Sequence, residues 1–222
     1  YPLKEKQDFQ PDVDDLCHGL HAGLDLLVIC NPNNPTATAI TRTQMRRILD
    51  TCLRFGIFVM VDETYVEFAP NEAEITSIKL TDYYTNLIIL RGTSKFFAAP
   101  GLRLGYAVTG NPDLISEINL RKDPWTINSL AEIAGQIMFQ DQEYIQATKD
   151  LISRERTRIF QTLSGWDAVK VYPSQGNFML MRILREDVDA QMLFEHCIRR
   201  CLMIRDCSTF PFLDASYVRF CM

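Results

Sequence analysis

Positive charge and long apolar runs are both scarce in this sequence. The 222 residues contain 23 Lys plus Arg against 28 Asp plus Glu, which gives a formal net charge of −5 at pH 7. Because no dense run of Lys or Arg offers a basic face to phosphates, we expect no nucleic-acid partner. The apolar runs at residues 26–30 and 57–61 fall far short of the roughly 20 residues that cross a bilayer, so we expect no membrane segment.

Cysteine pairs and metal-ligand spacings are also missing. The seven cysteines are an odd number and include no Cys-x-x-Cys pair, so we expect free thiols, a cytoplasmic location and no metal site. Cys17, His18 and His21 lie in a glycine-containing, loop-like stretch, and we interpret them as surface residues. The 47% hydrophobic and 23% charged residues are typical of an ordinary folded protein.

The first half alternates short apolar runs with a helical pattern, which predicts an α/β fold around a mostly parallel sheet covered by helices. We expect strands over residues 26–30, 57–61, 86–90 and 104–108. Because these runs are apolar almost throughout, both of their faces should be covered. An amphipathic helix over residues 41–55 should have Thr41 as its N-cap.

A different pattern begins after residue 111. A long helical pattern covers 128–163 in one or two pieces, and strands follow over 168–172 and 177–183, a helix over 187–200, and two short strands around Met203 and Val218. We therefore expect three parts: residues 1–123 in a large domain, 124–163 as a connecting helical segment, and 164–222 as a smaller α+β domain. Both ends look cut, since the last residues stop inside a strand-like run, and we expect a fragment of a longer chain.

Four short polar stretches each follow a predicted strand. They are Asn31-Pro-Asn-Asn-Pro-Thr36, Val61-Asp-Glu-Thr-Tyr65, Gly92-Thr-Ser-Lys95 and Pro100-Gly-Leu-Arg-Leu-Gly105. In open α/β sheets, ligands bind at the carboxyl ends of the strands. These four stretches are therefore the candidate site.

The residue types in these stretches point to one kind of cofactor. Asp62 follows an apolar strand, where a carboxylate needs a cation or a donor. Lys95 follows the next strand and can act as a nucleophile towards a carbonyl. Arg103 with Thr93 and Ser94 offers a cationic fork and hydroxyls that suit a phosphate. Together they predict an aldehyde-bearing phosphate cofactor with a ring cation that faces Asp62.

Each of these residues has a plainer interpretation when taken alone. Asp62 could cap a strand end, Lys95 could be a solvated surface lysine, and Arg103 could be an interior salt-bridge partner. Arg205 and Arg219 could lie on a solvated strand face. The occurrence of the motifs together, in order, favours the functional interpretation of the first three.

The motifs resemble a known family. Asn-Pro-Asn-Asn-Pro-Thr, Asp-Glu-x-Tyr, Ser-Lys and Gly-Leu-Arg-Leu-Gly-Tyr occur in the order and spacing of the fold-type I enzymes that use pyridoxal 5′-phosphate, the class I/II aminotransferases. The branch they resemble is that of histidinol-phosphate aminotransferase and threonine-phosphate decarboxylase. The resemblance implies a pyridoxal-phosphate-binding large domain over residues 1–123, and it extends over nearly the whole chain.

By this resemblance, four residues act on the cofactor ring. Lys95 forms the Schiff base with the cofactor aldehyde and later carries protons, and Asp62 keeps the pyridine nitrogen protonated. Asn34 and Tyr65 hydrogen-bond the phenolic oxygen of the ring.

The resemblance also assigns anion-binding residues. Ser94 and Arg103 hold the cofactor phosphate, with Thr93 beside them. Arg219 binds the substrate carboxylate as a bidentate pair, and Arg205 meets a second anion such as a phosphate. Asn177, in Gly-Asn-Phe, lies in a family segment near the substrate without an assigned role.

Three departures from the family pattern stand out. Ala37 replaces the usual glycine, so a left-handed backbone there would be strained. Gly92 replaces a Ser or Thr three residues before the lysine, which removes one phosphate hydroxyl unless Thr93 replaces it. No segment before Asn31 resembles the family's phosphate loop or the aromatic residue that stacks on the ring.

The resemblance implies an aminotransferase that acts on an amino acid or an amino-acid phosphate. Decarboxylation of a phosphorylated amino acid is the close alternative, and an inactive fragment or binding module that retains the fold is the alternative of another class. The resemblance further implies a homodimer.

Overall fold

Two separate four-stranded sheets organise the chain. The structure is a computed structural model and describes residues 1–222. The first sheet contains β1 (Leu26–Cys30), β2 (Phe58–Asp62), β3 (Leu87–Gly92) and β4 (Gly105–Thr109), in that order. β1, β2 and β3 run parallel, and β4 is antiparallel to β3. The predicted α/β fold with a mostly parallel sheet is confirmed.

The second sheet is entirely antiparallel. It contains β5 (Val169–Val171), β6 (Phe178–Ile183), β7 (Arg205–Asp206) and β8 (Tyr217–Cys221), in the order β5-β6-β8-β7. The predicted smaller α+β region in this part of the chain is therefore present. The domain boundaries at residues 123 and 163 stay predictions.

Seven α-helices connect and cover the strands. They are α1 (Val13–Gly19), α2 (Arg42–Phe55), α3 (Glu72–Ile75), α4 (Pro112–Arg121), α5 (Ser129–Met138), α6 (Gln142–Ser164) and α7 (Ala190–Ile198). The long helical pattern is thus two helices, α5 and α6. The loop predicted around Cys17 and His18 is wrong, because both residues lie in α1. None of these helices combines the length and apolarity needed to cross a bilayer.

α2 shows how the sequence determines a helix. The Thr41 side chain accepts from the Gln44 amide, and the Gln44 side chain accepts from the Thr41 amide, which forms a capping box. Gly56, at φ 72°, ends the helix in the left-handed conformation that glycine adopts without strain. The apolar face predicted for this helix is buried in the main core: Met45, Ile48, Leu49 and Cys52.

The two sheets have separate cores. The main core joins α1 and α2 to one face of the first sheet. On the second sheet, Phe9 packs with Tyr172 and Tyr217, although it belongs to the N-terminal part of the chain. Residues before α1 therefore contact the second sheet.

The prediction that every strand is covered on both faces is only partly right. Leu87, Ile88 and Ile89 of β3 are all buried, whereas Leu26 and Val28 of β1 are 49% and 57% exposed. β1 is an edge strand, and its alternate side chains point away from the core. Apolar character alone does not distinguish such an edge strand from a central one.

Candidate active site

The Asn31–Thr36 stretch forms a tightly bonded loop after β1. The buried Asn31 side chain donates to the Ile40 carbonyl oxygen at 3.0 Å and accepts from the Ile40 amide at 2.8 Å. The Asn33 side chain donates to the Thr36 hydroxyl oxygen at 2.8 Å. Because the neighbouring polar groups bond to one another, the partly exposed Asn34 side chain is presented at the edge of the first sheet.

Ala37 adopts the left-handed backbone conformation that is strained for any residue other than glycine. It lies at φ 57°, in the left-handed region, and is fully buried. Its amide donates to the Asn33 carbonyl oxygen at 2.7 Å, and its own carbonyl oxygen accepts from the Gln175 amide at 2.8 Å. The loop thus keeps the turn that glycine would make more easily, at a cost of about 1–2 kcal/mol.

Asp62 and Tyr65 lie directly beyond the carboxyl end of β2. Asp62 is opposite Cys30 of β1, and its Oδ1 accepts from the Thr64 amide at 2.9 Å. The Tyr65 ring packs edge-on against Phe178, with 4.9 Å between centroids. Burial raises the pKa of Tyr65, and the nearby Arg219 partly opposes that shift.

Glu63, the neighbour of Asp62, is fully buried and serves a different purpose. Its Oε2 accepts from Arg91 Nη2 at 2.8 Å, and its Oε1 accepts from the Ser77 amide at 2.6 Å. Arg91 also lies 3.4 Å from a carboxylate oxygen of Glu67 and of Glu72. This buried cluster fixes the segment that carries Asp62 and Tyr65.

The Thr93-Ser94-Lys95 stretch presents only part of what the sequence predicted. Thr93 is fully buried, and its hydroxyl donates to the Leu104 carbonyl oxygen at 3.1 Å, so it faces the sheet. Ser94 is partly exposed and Lys95 is exposed. Lys95 forms no ion pair or side-chain hydrogen bond within the chain, which leaves its amine available.

Arg103 lies at an exposed turn between β3 and β4. It adopts a left-handed backbone at φ 54°, and its Nη1 donates to the Pro100 carbonyl oxygen at 3.2 Å. It is not an interior salt-bridge partner. Most of its guanidinium donors are free to meet an anion.

Arg219 connects the second sheet to the first. Its Nη1 donates to Asn34 Oδ1, and its guanidinium lies 5.2 Å from the centroid of the Phe178 ring. Its Nε is buried without a hydrogen-bond partner, as is Oδ1 of Asn177 beside Phe178. The structure therefore brings Tyr65 and Arg219 together on the Phe178 ring, and Arg219 links Asn34 to them.

Arg205 lies beside Arg219 but is more exposed. It is opposite Arg219 in the β7–β8 register. Its Nη2 donates to the Thr209 hydroxyl oxygen at 3.3 Å, and its guanidinium lies 6.0 Å from the Phe210 ring centroid. The two arginines form a cationic row on one sheet face.

Two residues of this region were missed in the sequence. Phe178 packs against both Tyr65 and Arg219, and its only sequence signal is its place in Gly-Asn-Phe. Arg156 of α6 is buried, and its Nε donates to the Gly176 carbonyl oxygen at 3.2 Å while its Nη2 donates to that of Phe68. Its spacing of four residues from the buried Ile152 could have placed it on the inner face of the helix.

Comparison with known proteins places this arrangement in a family. Residues 1–222 match the model described as aminotransferase class I and II. The chain is 34% identical over 220 residues to a threonine-phosphate decarboxylase of Salmonella typhimurium, with 99% of this chain and 58% of that protein covered. It is 33% identical over 216 residues to a histidinol-phosphate aminotransferase of Thermoanaerobacter pseudethanolicus, with 97% of this chain and 58% of that protein covered.

Solved structures agree with the sequence matches. The crystal structure of histidinol-phosphate aminotransferase from Clostridium acetobutylicum matches with a TM-score of 0.90 and 30% identity, over 99% of this chain and 64% of that one. The chain thus spans about 58% of the length of the curated relatives it matches. On these matches and on its fold, the chain belongs to the class I and II aminotransferase family.

Proposed function

We propose that this chain carries the cofactor-binding and substrate-anchoring residues of a pyridoxal 5′-phosphate enzyme of the aminotransferase type. The substrate is an amino acid or an amino-acid phosphate. The observation that supports this most directly is the contact between Asn34 and Arg219, because it joins the edge of the first sheet to the arginine of the second. Members of this family use pyridoxal 5′-phosphate.

The residues at the first sheet fit this cofactor. When bound, pyridoxal 5′-phosphate supplies an electron sink for the electron pair of a bond broken at the substrate Cα. Asp62 would hold the proton on the ring nitrogen, and the donated hydrogen bond from the Thr64 amide keeps that carboxylate oriented. Asn34, in the loop after β1, and Tyr65, beyond the end of β2, would hydrogen-bond the phenolic oxygen of the ring.

Lys95 is the proposed catalytic base and cofactor anchor. Its amine is exposed and has no partner within the chain, so it is free to bind an aldehyde carbon. Once released by substrate, Nζ of Lys95 would carry a proton between the substrate Cα and the aldehyde carbon of the cofactor, C4′. Ser94 and Arg103 would hold the phosphate, whereas the hydroxyl of Thr93 already donates to Leu104.

Arg219 is the proposed anchor of the substrate carboxylate. Its Nη1 donates to the Asn34 amide oxygen and its buried Nε lacks a partner, so the guanidinium keeps donors that a substrate carboxylate would meet as a bidentate pair. Arg205, in the same row, would meet a second anion on the substrate. Asn177, with an unpartnered Oδ1, lies at the same place without an assigned role.

Decarboxylation of a phosphorylated amino acid is the alternative reaction. One of the relatives is a threonine-phosphate decarboxylase and another a histidinol-phosphate aminotransferase. Both reactions use the same set of residues, and they differ in which bond at Cα is broken. Product analysis for a keto acid or for CO2 distinguishes the two.

The alternative of another class is a binding module that keeps the fold without turnover. The chain spans about 58% of the length of its relatives, which motivates this alternative. This alternative predicts that the chain forms no product, whereas a longer chain with the full length of the relatives does. Equal product formation by both would contradict it.

We propose a cytoplasmic homodimer. Several apolar side chains of α5 and the segment before it are exposed, and patches of this kind mark interaction sites: Trp125 87%, Ile127 57%, Leu130 74%, Ile133 58% and Ile137 63%. A second copy is the proposed occupant. All seven cysteines are free thiols, which supports a reducing compartment.

The test of the cofactor assignment is the visible absorption spectrum of the purified chain with added pyridoxal 5′-phosphate. We expect a band that disappears in Lys95→Ala and persists in Lys122→Ala, an exposed lysine outside the site. Borohydride reduction and peptide mapping should place the adduct on Lys95. A band that survives in Lys95→Ala would contradict the assignment.

A further inference from the structure

Residues 3–9, which we call the strap, lie across one face of the second sheet. Phe9 is buried and packs edge-on against Tyr172 at 5.0 Å and Tyr217 at 5.8 Å between ring centroids. Leu3 packs against the same cluster. The strap closes on itself, since the Phe9 amide donates to the Lys4 carbonyl oxygen at 3.1 Å. It is therefore a folded part of the second sheet's core.

Glu5 fastens the strap. Its Oε1 accepts from the Tyr172 hydroxyl at 2.6 Å, and its two carboxylate oxygens lie 3.0 and 2.8 Å from Arg182 Nη1. These bonds hold the pKa of Glu5 below its usual range, with the Tyr172 hydroxyl as the main cause. At the rim, Lys170 lies 3.0 Å from Asp8. Glu5 therefore bonds both Arg182 of β6 and Tyr172, the residue directly after β5.

The face under the strap is the face that carries Arg219. Arg182 is opposite Tyr217 in the β6–β8 register, and Leu180 is opposite Arg219 in the next row. Because side chains two residues apart in a strand point to the same side, Tyr217 and Arg219 share a face. The strap therefore contacts the row directly beside the substrate-anchoring arginine.

The strap also faces the loop that carries Asn34. A cavity of about 290 Å³ separates them, and it is lined on one side by the strap and on the other by the 33–36 loop and the 210–213 turn: Leu3, Phe9, Asn34, Pro35, Phe210 and Leu213. Beyond Phe9 the chain enters α1, where Val13 and Leu16 belong to the main core. One continuous segment thus packs on both cores.

We propose that the strap positions Arg219 for substrate binding, with Glu5 as its fastening residue, by holding β8 against the Asn34 loop. Glu5 and Phe9 are positioning residues that touch neither cofactor nor substrate. Releasing the strap lowers the fraction of molecules in which Arg219 meets Asn34, and the apparent affinity for a carboxylate falls by that fraction. The role assigned to Arg219 rests on the proposed function.

The first readout needs no substrate. Hydrogen exchange is measured on wild type, Glu5→Gln and Tyr172→Phe. We expect faster exchange in the strap and in residues 217–221 of both variants, with residues 42–62 unchanged. The control is Arg185→Gln, which breaks an exposed pair with Asp187 of the same region but away from the strap, and it should alter neither segment. A strap that opens while residues 217–221 stay protected overturns the proposal.

The second readout uses the cofactor-loaded protein and O-phospho-L-threonine as the probe. We expect Glu5→Gln to raise KM about tenfold, with kcat and the cofactor affinity within about twofold of wild type. Glu5→Asp, which keeps the charge, should recover part of the affinity. Equal loss of kcat and cofactor affinity in Glu5→Gln would indicate a general structural defect and overturn the proposal. If wild type itself fails to respond to the probe, the proposed function fails, and the exchange of residues 217–221 still decides the role of the strap.

Discussion

The two sides of the candidate site differ in how the chain supports them. On the side proposed for the ring oxygen and the substrate carboxylate, which we call the substrate side, Tyr65 and Arg219 pack on the buried Phe178 ring and Arg219 bonds Asn34. On the side proposed for the cofactor aldehyde and phosphate, which we call the phosphate side, Lys95 and Arg103 are exposed, and Arg103 bonds only to a carbonyl oxygen of its own turn. The first set is held by tertiary packing that joins two sheets, and the second by the local turns after β3.

This difference separates two kinds of effect. A change under the substrate side removes buried contacts, so it should lower the stability of the whole fold together with ligand binding. A change on the phosphate side touches exposed side chains, so it should alter cofactor affinity at nearly constant stability. Stability and ligand binding should therefore change together on the substrate side and separately on the phosphate side.

The largest expected effect comes from removing the buried cation under the substrate side. Arg156→Met keeps the length of the side chain but removes the guanidinium that donates to the carbonyl oxygens of Phe68 and Gly176. We expect a loss of about 3 kcal/mol in the free energy of unfolding, measured by urea denaturation, because the buried Phe68 carbonyl oxygen loses its donor and that of Gly176 keeps only the Ser174 hydroxyl at 3.3 Å.

Arg158→Met is the matched control for this prediction. Arg158 lies on the same helix, is 62% exposed in its side chain, and pairs with Glu155. We expect Arg158→Met to lower the free energy of unfolding by less than about 0.5 kcal/mol. Similar losses in both variants would show that Arg156 does not hold the substrate side.

The sequence could predict the elements that carry both sides but not their contacts. Strand 26–30 and the Thr41-capped helix follow from local pattern and capping, and the motifs at strand ends follow from the order of the elements. The Asn34–Arg219 contact joins residues 185 positions apart in the sequence, and a local sequence pattern cannot predict a contact over such a separation. The exposed face of β1 was missed for a related reason, since strand order determines which strand lies at an edge.

The next effect concerns a buried carboxyl group two residues after Tyr65. Burial raises the pKa of Glu67 to about 7, and its Oε2 has no partner. The folded protein therefore binds more protons than the unfolded one between about pH 4.5 and 7, so the free energy of unfolding falls as the pH rises through that window. Glu67→Gln should stabilise the protein by about 2 kcal/mol above pH 7 and by little below pH 4.5.

Thermal or urea unfolding between pH 4 and 8 checks this expectation. Glu74→Gln is the control, because Glu74 is an exposed acid of α3 that forms no ion pair. A stability difference between Glu67→Gln and wild type that does not vary with pH would contradict the raised pKa as its cause.

The smallest expected effect strengthens the phosphate side. A Cβ built on Gly92 would lie 3.7 Å from the Leu104 carbonyl oxygen and 3.9 Å from the Ser94 hydroxyl oxygen, so a side chain fits there. Gly92→Ser restores the hydroxyl that the family pattern has at this position. We expect about threefold tighter cofactor binding by spectral titration, the size of one modest hydrogen bond.

Gly92→Ala separates the hydroxyl from the side chain itself. It adds the same Cβ without a donor, so it should leave the cofactor affinity near that of wild type. If Gly92→Ala and Gly92→Ser bind the cofactor equally well, the hydroxyl makes no contact with the phosphate.

Asp62 and Glu63 are adjacent carboxylates with separate roles. Glu63 is fully buried and bonded to Arg91 and the Ser77 amide, whereas Asp62 is half-buried at the end of β2. A cell that carries a change at Glu63 should contain fewer folded molecules, each with nearly normal chemistry, because a buried charge has lost its partner. A change at Asp62 should leave the number of folded molecules nearly constant and reduce the activity of each molecule. We therefore expect neighbouring positions to govern abundance and specific activity separately.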